Sequence, residues 1–172
     1  MGQRQSDGEL FAREGAKVLA ADINLDAAIE TKRIIGGEGG VCEAVSGDVS
    51  RASDVAAIVD ACITAFGRID VLHNNVGIVE VGGPVETTEE SWDRVNDVNL
   101  KSMFLTCKRV LPQMERQGKG AIVNIASVSG IRWLGVPYIS YATTKAGSSN
   151  SPGSSLSNTL GRAYARTRSC RG

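Results

Sequence analysis

Short apolar runs that close on acids, amides or a serine alternate along this chain with apolar residues at helical spacing. Residues 16–22 (AKVLAAD) form one such run and end on Asp22, with Ile23 and Asn24 following. Residues 41–48 (VCEAVSGD) form a second, ending on Asp48 with Val49 next. A third, residues 69–77, runs into Asn74, Asn75, Val76 and Gly77, and a fourth, residues 120–127, ends on Ser127. Between them Val55, Ile58, Val59, Cys62, Ile63 and Phe66 recur three or four apart, which predicts an amphipathic helix. Trp92, Val95, Val98, Leu100, Phe104, Cys107, Val110, Leu111 and Met114 predict a longer and mostly buried one. Strands alternating with helices predict an α/β fold, a doubly wound parallel sheet covered on both faces. Ligands of such sheets lie beyond the carboxyl ends of the strands, where Asp22, Asp48, residues 74–77 and Ser127 are expected to share a rim.

The candidate chemistry sits downstream. Tyr141 and Lys145 are four apart, so they share one face of a helix, and Ser127 stands fourteen residues before the tyrosine. A free phenol, with a pKa of about 10, is a poor base at neutral pH. An ammonium beside it favours the phenolate and moves it towards the working range. A nearby serine hydroxyl could hold the substrate oxygen. A Tyr-x-x-x-Lys pair is weak by itself, because it also arises by chance on exposed helices.

Taken in order, Asp22, Asp48–Val49, residues 74–77 (NNVG), Asn99 within VNLK, Ser127, and Tyr141 with Lys145 resemble the short-chain dehydrogenase/reductase family over roughly residues 9–147. The resemblance implies a Rossmann-like fold and an NAD(P)-dependent oxidoreductase that interconverts a secondary alcohol and a ketone by hydride transfer. Tyr141 would be the general acid/base. Lys145 would assist it and bond the nicotinamide ribose, Ser127 would orient the substrate oxygen, and Asn99 would hold a water in the proton relay. Asp48 and Val49 would contact adenine, and Asn74, Asn75, Val76 and Gly77 would line the cofactor cleft. Asp22, with Ile23 beside it, implies NAD over NADP, since a carboxylate there accepts ribose hydroxyls and repels a 2′-phosphate. Residues 131–134 and 79–83 are candidates for shaping the substrate pocket, although Trp133 could equally be packing.

Composition narrows the partners. Nineteen basic and nineteen acidic residues give zero formal net charge, so nothing points to nucleic acid or a membrane. The four cysteines, 42, 62, 107 and 170, lack metal-ligand spacing and read as free thiols of a cytoplasmic protein. His73 has no ligating neighbours and reads as a core or rim residue. No stretch is long enough to cross a bilayer.

Both ends depart from the family pattern. No first strand or Gly-rich phosphate turn precedes Glu9, so the sheet is expected to be incomplete, lacking its first and last strands. Without the first strand, the second and third have nothing joining them to the fourth and fifth. Two apolar edges would then invite association. The partial oxidoreductase domain is expected to span residues 1–147. Residues 148–172 are expected to be a disordered tail, with six serines in 148–157 and four arginines further on. One G placed before a permitted codon set for 148–172 turns them into VIQLTRFLALEYAGPGIRANAVVPG, which resembles the segment after the tyrosine helix in this family. A single-base loss near codon 147 is therefore expected, and a misassigned start is a weaker expectation at the other end. As written, the chain is expected to fold poorly, to be inactive, and to be impaired in the homo-oligomer its relatives form. The rival readings are a non-catalytic nucleotide- or partner-binding remnant of the same fold and, less well matched, a sugar-nucleotide epimerase or dehydratase. Substrate identity and reaction direction are not legible.

Overall fold

The computed structural model describes residues 7–149 and the backbone of residues 166–171. The chain divides into two compact units, Met1–Arg68 and Ile69–Gly172.

The first unit carries α1 (Asp7–Arg13), β1 (Val18–Asp22), α2 (Leu25–Gly37), β2 (Cys42–Ser46) and α3 (Ala52–Phe66). The two strands pair in parallel, Val18 opposite Cys42 and Asp22 opposite Ser46. Helix α2 starts sharply because the Asn24 side chain accepts the Asp26 amide at 3.0 Å, filling one of the orphan donors of a helix N-terminus. Helix α3 ends at Gly67, whose φ of 76° is left-handed, a conformation only glycine adopts without cost. Ala28 and Ile35 of α2 and Val55 and Val59 of α3 supply the buried apolar faces.

The second unit carries β3 (Val71–Asn74), α4 (Glu89–Asn96), a π turn (Asp97–Lys101), α5 (Ser102–Gln117), β4 (Ala121–Ser127), a 3₁₀ turn (Val128–Gly130), α6 (Ile139–Ser149) and β5 (Arg166–Arg171). The strand order is β3-β4-β5, parallel throughout. Val95, Met103, Cys107, Val110, Met114, Ile122 and Ile125 form its core. The sheet is thus in two pieces, of two and three strands, and no ladder joins them among the described residues. That is the break expected from the strand order.

Three expectations change. The predicted long helix over residues 92–114 is interrupted by the π turn, which adds a residue to the turn around Asn99 and puts that side chain inside the unit. Phe104, expected in the buried stripe, faces out beneath Lys108, whose Nζ lies 5.7 Å from the ring centroid. Residues 166–171, expected within a disordered tail, form β5, with Ile122 opposite Arg166 and Ser127 opposite Arg171. Parallel pairing uses only backbone groups, so the open edge of β4 can accept a strand of unusual composition. The expected family break after Gly147 falls beside residues 150–165, which lie outside the described residues.

Candidate functional site

Residues of the first unit group at the carboxyl end of its sheet. Asp22 closes β1 with its carboxylate exposed, and Oδ1 accepts the Asn24 amide at 2.8 Å. Ile23 beside it is exposed. Asp48 follows β2 and organises the turn into α3. Its Oδ1 accepts the Ser50 amide at 2.9 Å and the Ser50 hydroxyl at 2.6 Å, and Arg51 Nε stands 3.5 Å from Oδ2. Val49 lies half-buried in the same turn.

The second unit builds the denser cluster. Helix α6 carries Tyr141 and Lys145 one turn apart, as their spacing predicts. Lys145 is only 5% exposed, and its ammonium donates to the Ile125 carbonyl of β4 at 2.8 Å. The same Nζ lies 5.8 Å from the centre of the Tyr141 ring, within cation–π range. Burial pulls the lysine pKa below its ordinary value, since a charged ammonium is less well solvated there. Tyr138 packs edge-to-face on Tyr141, with ring centroids 5.8 Å apart.

Asn99 fastens the loop after β3 to α6. Its Oδ1 accepts the Ile78 amide at 2.8 Å, and its Nδ2 donates to the Ile78 carbonyl at 2.9 Å and to Thr144 Oγ1 at 3.2 Å. It therefore acts as a clamp on the backbone of residue 78. Gly77, exposed together with Asn75 and Val76, borders the same cluster. A Cβ on Gly77 would stand 3.2 Å from Lys145 Nζ and 3.4 Å from Asn99 Oδ1. Asn74 points elsewhere. Its Nδ2 donates to Asn124 Oδ1 at 2.9 Å, and its Oδ1 accepts from Thr106 at 2.8 Å. Ser127 is buried at the end of β4, and its Oγ accepts the Ser129 amide at 3.2 Å.

Lys145, Tyr141, Asn99 and Gly77 thus converge, while Asp22, Ile23, Asp48 and Val49 group within the first unit. Three contributors escaped the sequence reading. Thr144, fully buried, links Asn99 to α6 and donates to the Tyr141 carbonyl at 2.9 Å. Ile125 contributes a main-chain carbonyl, which no side-chain pattern can reveal. Gly130 lets the 3₁₀ turn lie against α6, since a Cβ there would come within 2.6 Å of Ala146 N and Lys145 C. The only available signal for Gly130 was a small residue shortly after Ser127. Among the described residues no group of three or more His, Cys, Asp or Glu side chains could hold a metal. Cys42, Cys62 and Cys107 are unbridged. No helix among the described residues is long and apolar enough to cross a membrane.

The family model described as short chain dehydrogenase matches residues 8–168. A 3-oxoacyl-[acyl-carrier-protein] reductase of Thermotoga maritima is 40% identical over 142 residues, covering 80% of this chain and 56% of the relative. A D-threitol dehydrogenase of Mycolicibacterium smegmatis is 34% identical, covering 80% of this chain and 52% of the relative. The chain therefore spans about half the length of the curated relatives it matches. A crystal structure from Burkholderia xenovorans, assigned to the short-chain dehydrogenase/reductases, superposes with a TM-score of 0.90 at 36% identity. It covers 99% of this chain, and this chain covers 70% of it. The family model covers most of the chain, the parallel α/β architecture agrees with it, and the chain belongs to the short-chain dehydrogenase/reductase family.

Proposed function

We propose that the Tyr141 cluster is the proton-transfer site of an NAD-preferring oxidoreductase acting on a secondary alcohol or its ketone. The observation that carries this reading is the buried ammonium of Lys145, held by the Ile125 carbonyl and set against the Tyr141 ring. Burying a lysine costs solvation energy. A helix of this unit would need no cation there for stability alone, and the relatives it matches include a named reductase and a named dehydrogenase.

In the oxidising direction Tyr141 takes the hydroxyl proton of the alcohol onto its phenolic oxygen as a hydride leaves the carbinol carbon. In the reducing direction it returns that proton to the carbonyl oxygen. Lys145 keeps a positive charge beside the ring from which the proton departs. Ser127 orients the substrate oxygen. Asn99 holds the loop and the helix in place, and the second lone pair of its Oδ1 is the point at which a relay water would be accepted. Nicotinamide, when bound, supplies the hydride acceptor or donor. The residues present fit it, because bare Gly77 keeps the approach to the ammonium open. Asp22, Ile23, Asp48 and Val49 are the residues assigned to the adenosine part. The exposed Asp22 carboxylate favours ribose hydroxyls and opposes a 2′-phosphate, which argues for NAD.

A non-catalytic remnant is the second reading, and the broken sheet favours it. The two are separated by following nicotinamide absorbance with purified protein and a secondary alcohol. The oxidoreductase reading expects NAD reduction faster than NADP reduction, lowered about 10²–10⁴-fold in Tyr141→Phe. Cofactor binding with no turnover in the parent protein would select the remnant.

A further inference from the structure

Helix α6 carries two threonines side by side, and the fold treats them oppositely. Thr143 is exposed, whereas Thr144 is 0% exposed. A hydroxyl has one hydrogen to donate and lone pairs that accept, so its burial is tolerated where both find partners. Thr144 meets that condition. Its Oγ1 accepts from Asn99 Nδ2 at 3.2 Å and donates to the Tyr141 carbonyl at 2.9 Å. Helix geometry directs the Lys145 amide at that same carbonyl, so the hydroxyl grips the turn that presents both Tyr141 and Lys145.

The other end of the link is equally committed. Asn99 is 1% exposed, and its two Nδ2 hydrogens go to the Ile78 carbonyl at 2.9 Å and to Thr144. Its Oδ1 takes the Ile78 amide at 2.8 Å. Gly77, next to this pinned residue, lies close to the ammonium, since a Cβ on it would stand 3.2 Å from Lys145 Nζ. The backbone of residue 78, Asn99, Thr144 and the Tyr141 carbonyl therefore form one continuous hydrogen-bonded line. It holds the turn through its main chain and makes no bond to the phenol or the ammonium themselves.

We propose that Thr144 is a positioning residue for proton transfer, whose hydroxyl locks the Tyr141–Lys145 turn to residues 77–78 and keeps the ammonium shielded beside the ring. As a role in catalysis, this rests on the oxidoreductase reading of Tyr141. Without the hydroxyl, one Asn99 amide hydrogen is buried with no acceptor, and that cost is relieved by moving the clamp and its loop away from α6. Water then reaches the ammonium and weakens its hold on the phenolate.

The test titrates Tyr141 by tyrosinate absorbance in the parent, Thr144→Val, Thr144→Ser and Thr143→Val. Each trace is taken as the difference from the matching Tyr141→Phe protein, so that Tyr138, packed on the same ring, cancels. The midpoint belongs to Tyr141 and Lys145 together. Valine keeps the shape of threonine without its hydroxyl, and the midpoint should rise by at least about half a pH unit, a roughly threefold loss of phenolate at fixed pH. Serine keeps the hydroxyl and Thr143→Val alters an exposed site, so both should stay with the parent. Should Thr144→Val not fold, Thr144→Ala carries the same expectation without a methyl pressed on Asn99. An unmoved midpoint in the hydroxyl-free variant, or an equal rise in Thr144→Ser, would overturn the proposal, because the role would then be packing alone. A rise confined to the hydroxyl-free variant, in a parent that reduces no nicotinamide, retains the hold of Thr144 on the phenol and removes the oxidoreductase reading. Nicotinamide reduction by the parent with an unmoved midpoint retains the oxidoreductase and removes the role of Thr144.

Discussion

At the scale of single residues, Lys145 is where electrostatics and fold meet. Its lowered pKa means that between this value and the ordinary 10.5 the folded chain binds fewer protons than the unfolded chain. Stability contributed through this group therefore rises as pH climbs through that window, and the burial penalty is fully present below it. Chemical denaturation of the parent and of Lys145→Met between pH 7 and 10.5 should show the parent gaining on the variant as pH rises. A flat difference would mean that the ammonium is solvated in the folded state. Gly130 gives a steric counterpart. Gly130→Ala should cost about 1–3 kcal/mol by pressing on the α6 backbone. Gly36→Ala, in a helix with nothing within 4 Å of the added Cβ, should gain about 0.5–1 kcal/mol. Equal effects at the two glycines in urea melts would contradict the close approach. Tyr141 and Lys145 were legible because helical spacing joins them and the ordered signals upstream give that spacing its weight. Thr144, the Ile125 carbonyl and Gly130 were not, because each acts through a contact made only when α6 meets the π turn, β4 and the 3₁₀ turn.

At the scale of elements, apolar runs ending in polar residues located all four strands that precede α6, within a few residues of their observed bounds. Strand endings are legible because hydrophobicity stops where the sheet does. The π turn was hidden, since Val98 and Leu100 continue a helical apolar rhythm while the backbone takes one residue more. The tail reading missed β5 because composition reports side-chain burial and says little about backbone pairing at an open edge. The register of β3 on β4 has its own device. Asn74 stands opposite Asn124, and their side chains bond, with Thr106 of α5 as a third member. Asn74→Ala leaves two partners short of a bond and should cost about 1–3 kcal/mol. Amide exchange across residues 71–74 and 121–124 should quicken with it. Unchanged exchange would show that the apolar flanks set the register without this network.

At the scale of the whole molecule, family and architecture were legible from six short signals in one order. Substrate identity was not, because the loops beside Tyr141 are shaped by contacts distant in sequence, such as the bridge between Gly82 and Tyr138. The residues proposed for adenosine belong to one compact unit and those proposed for proton transfer to the other; the decisive question is whether this chain moves a hydride. The direct measurement is mass spectrometry of the nicotinamide recovered after incubating the protein with NAD and a secondary alcohol deuterated at its carbinol carbon. Hydride transfer at the Tyr141 site predicts reduced cofactor one mass unit heavier, with label transfer lost in Tyr141→Phe. Cofactor that binds yet never gains deuterium, or label transfer unchanged in Tyr141→Phe, would contradict it.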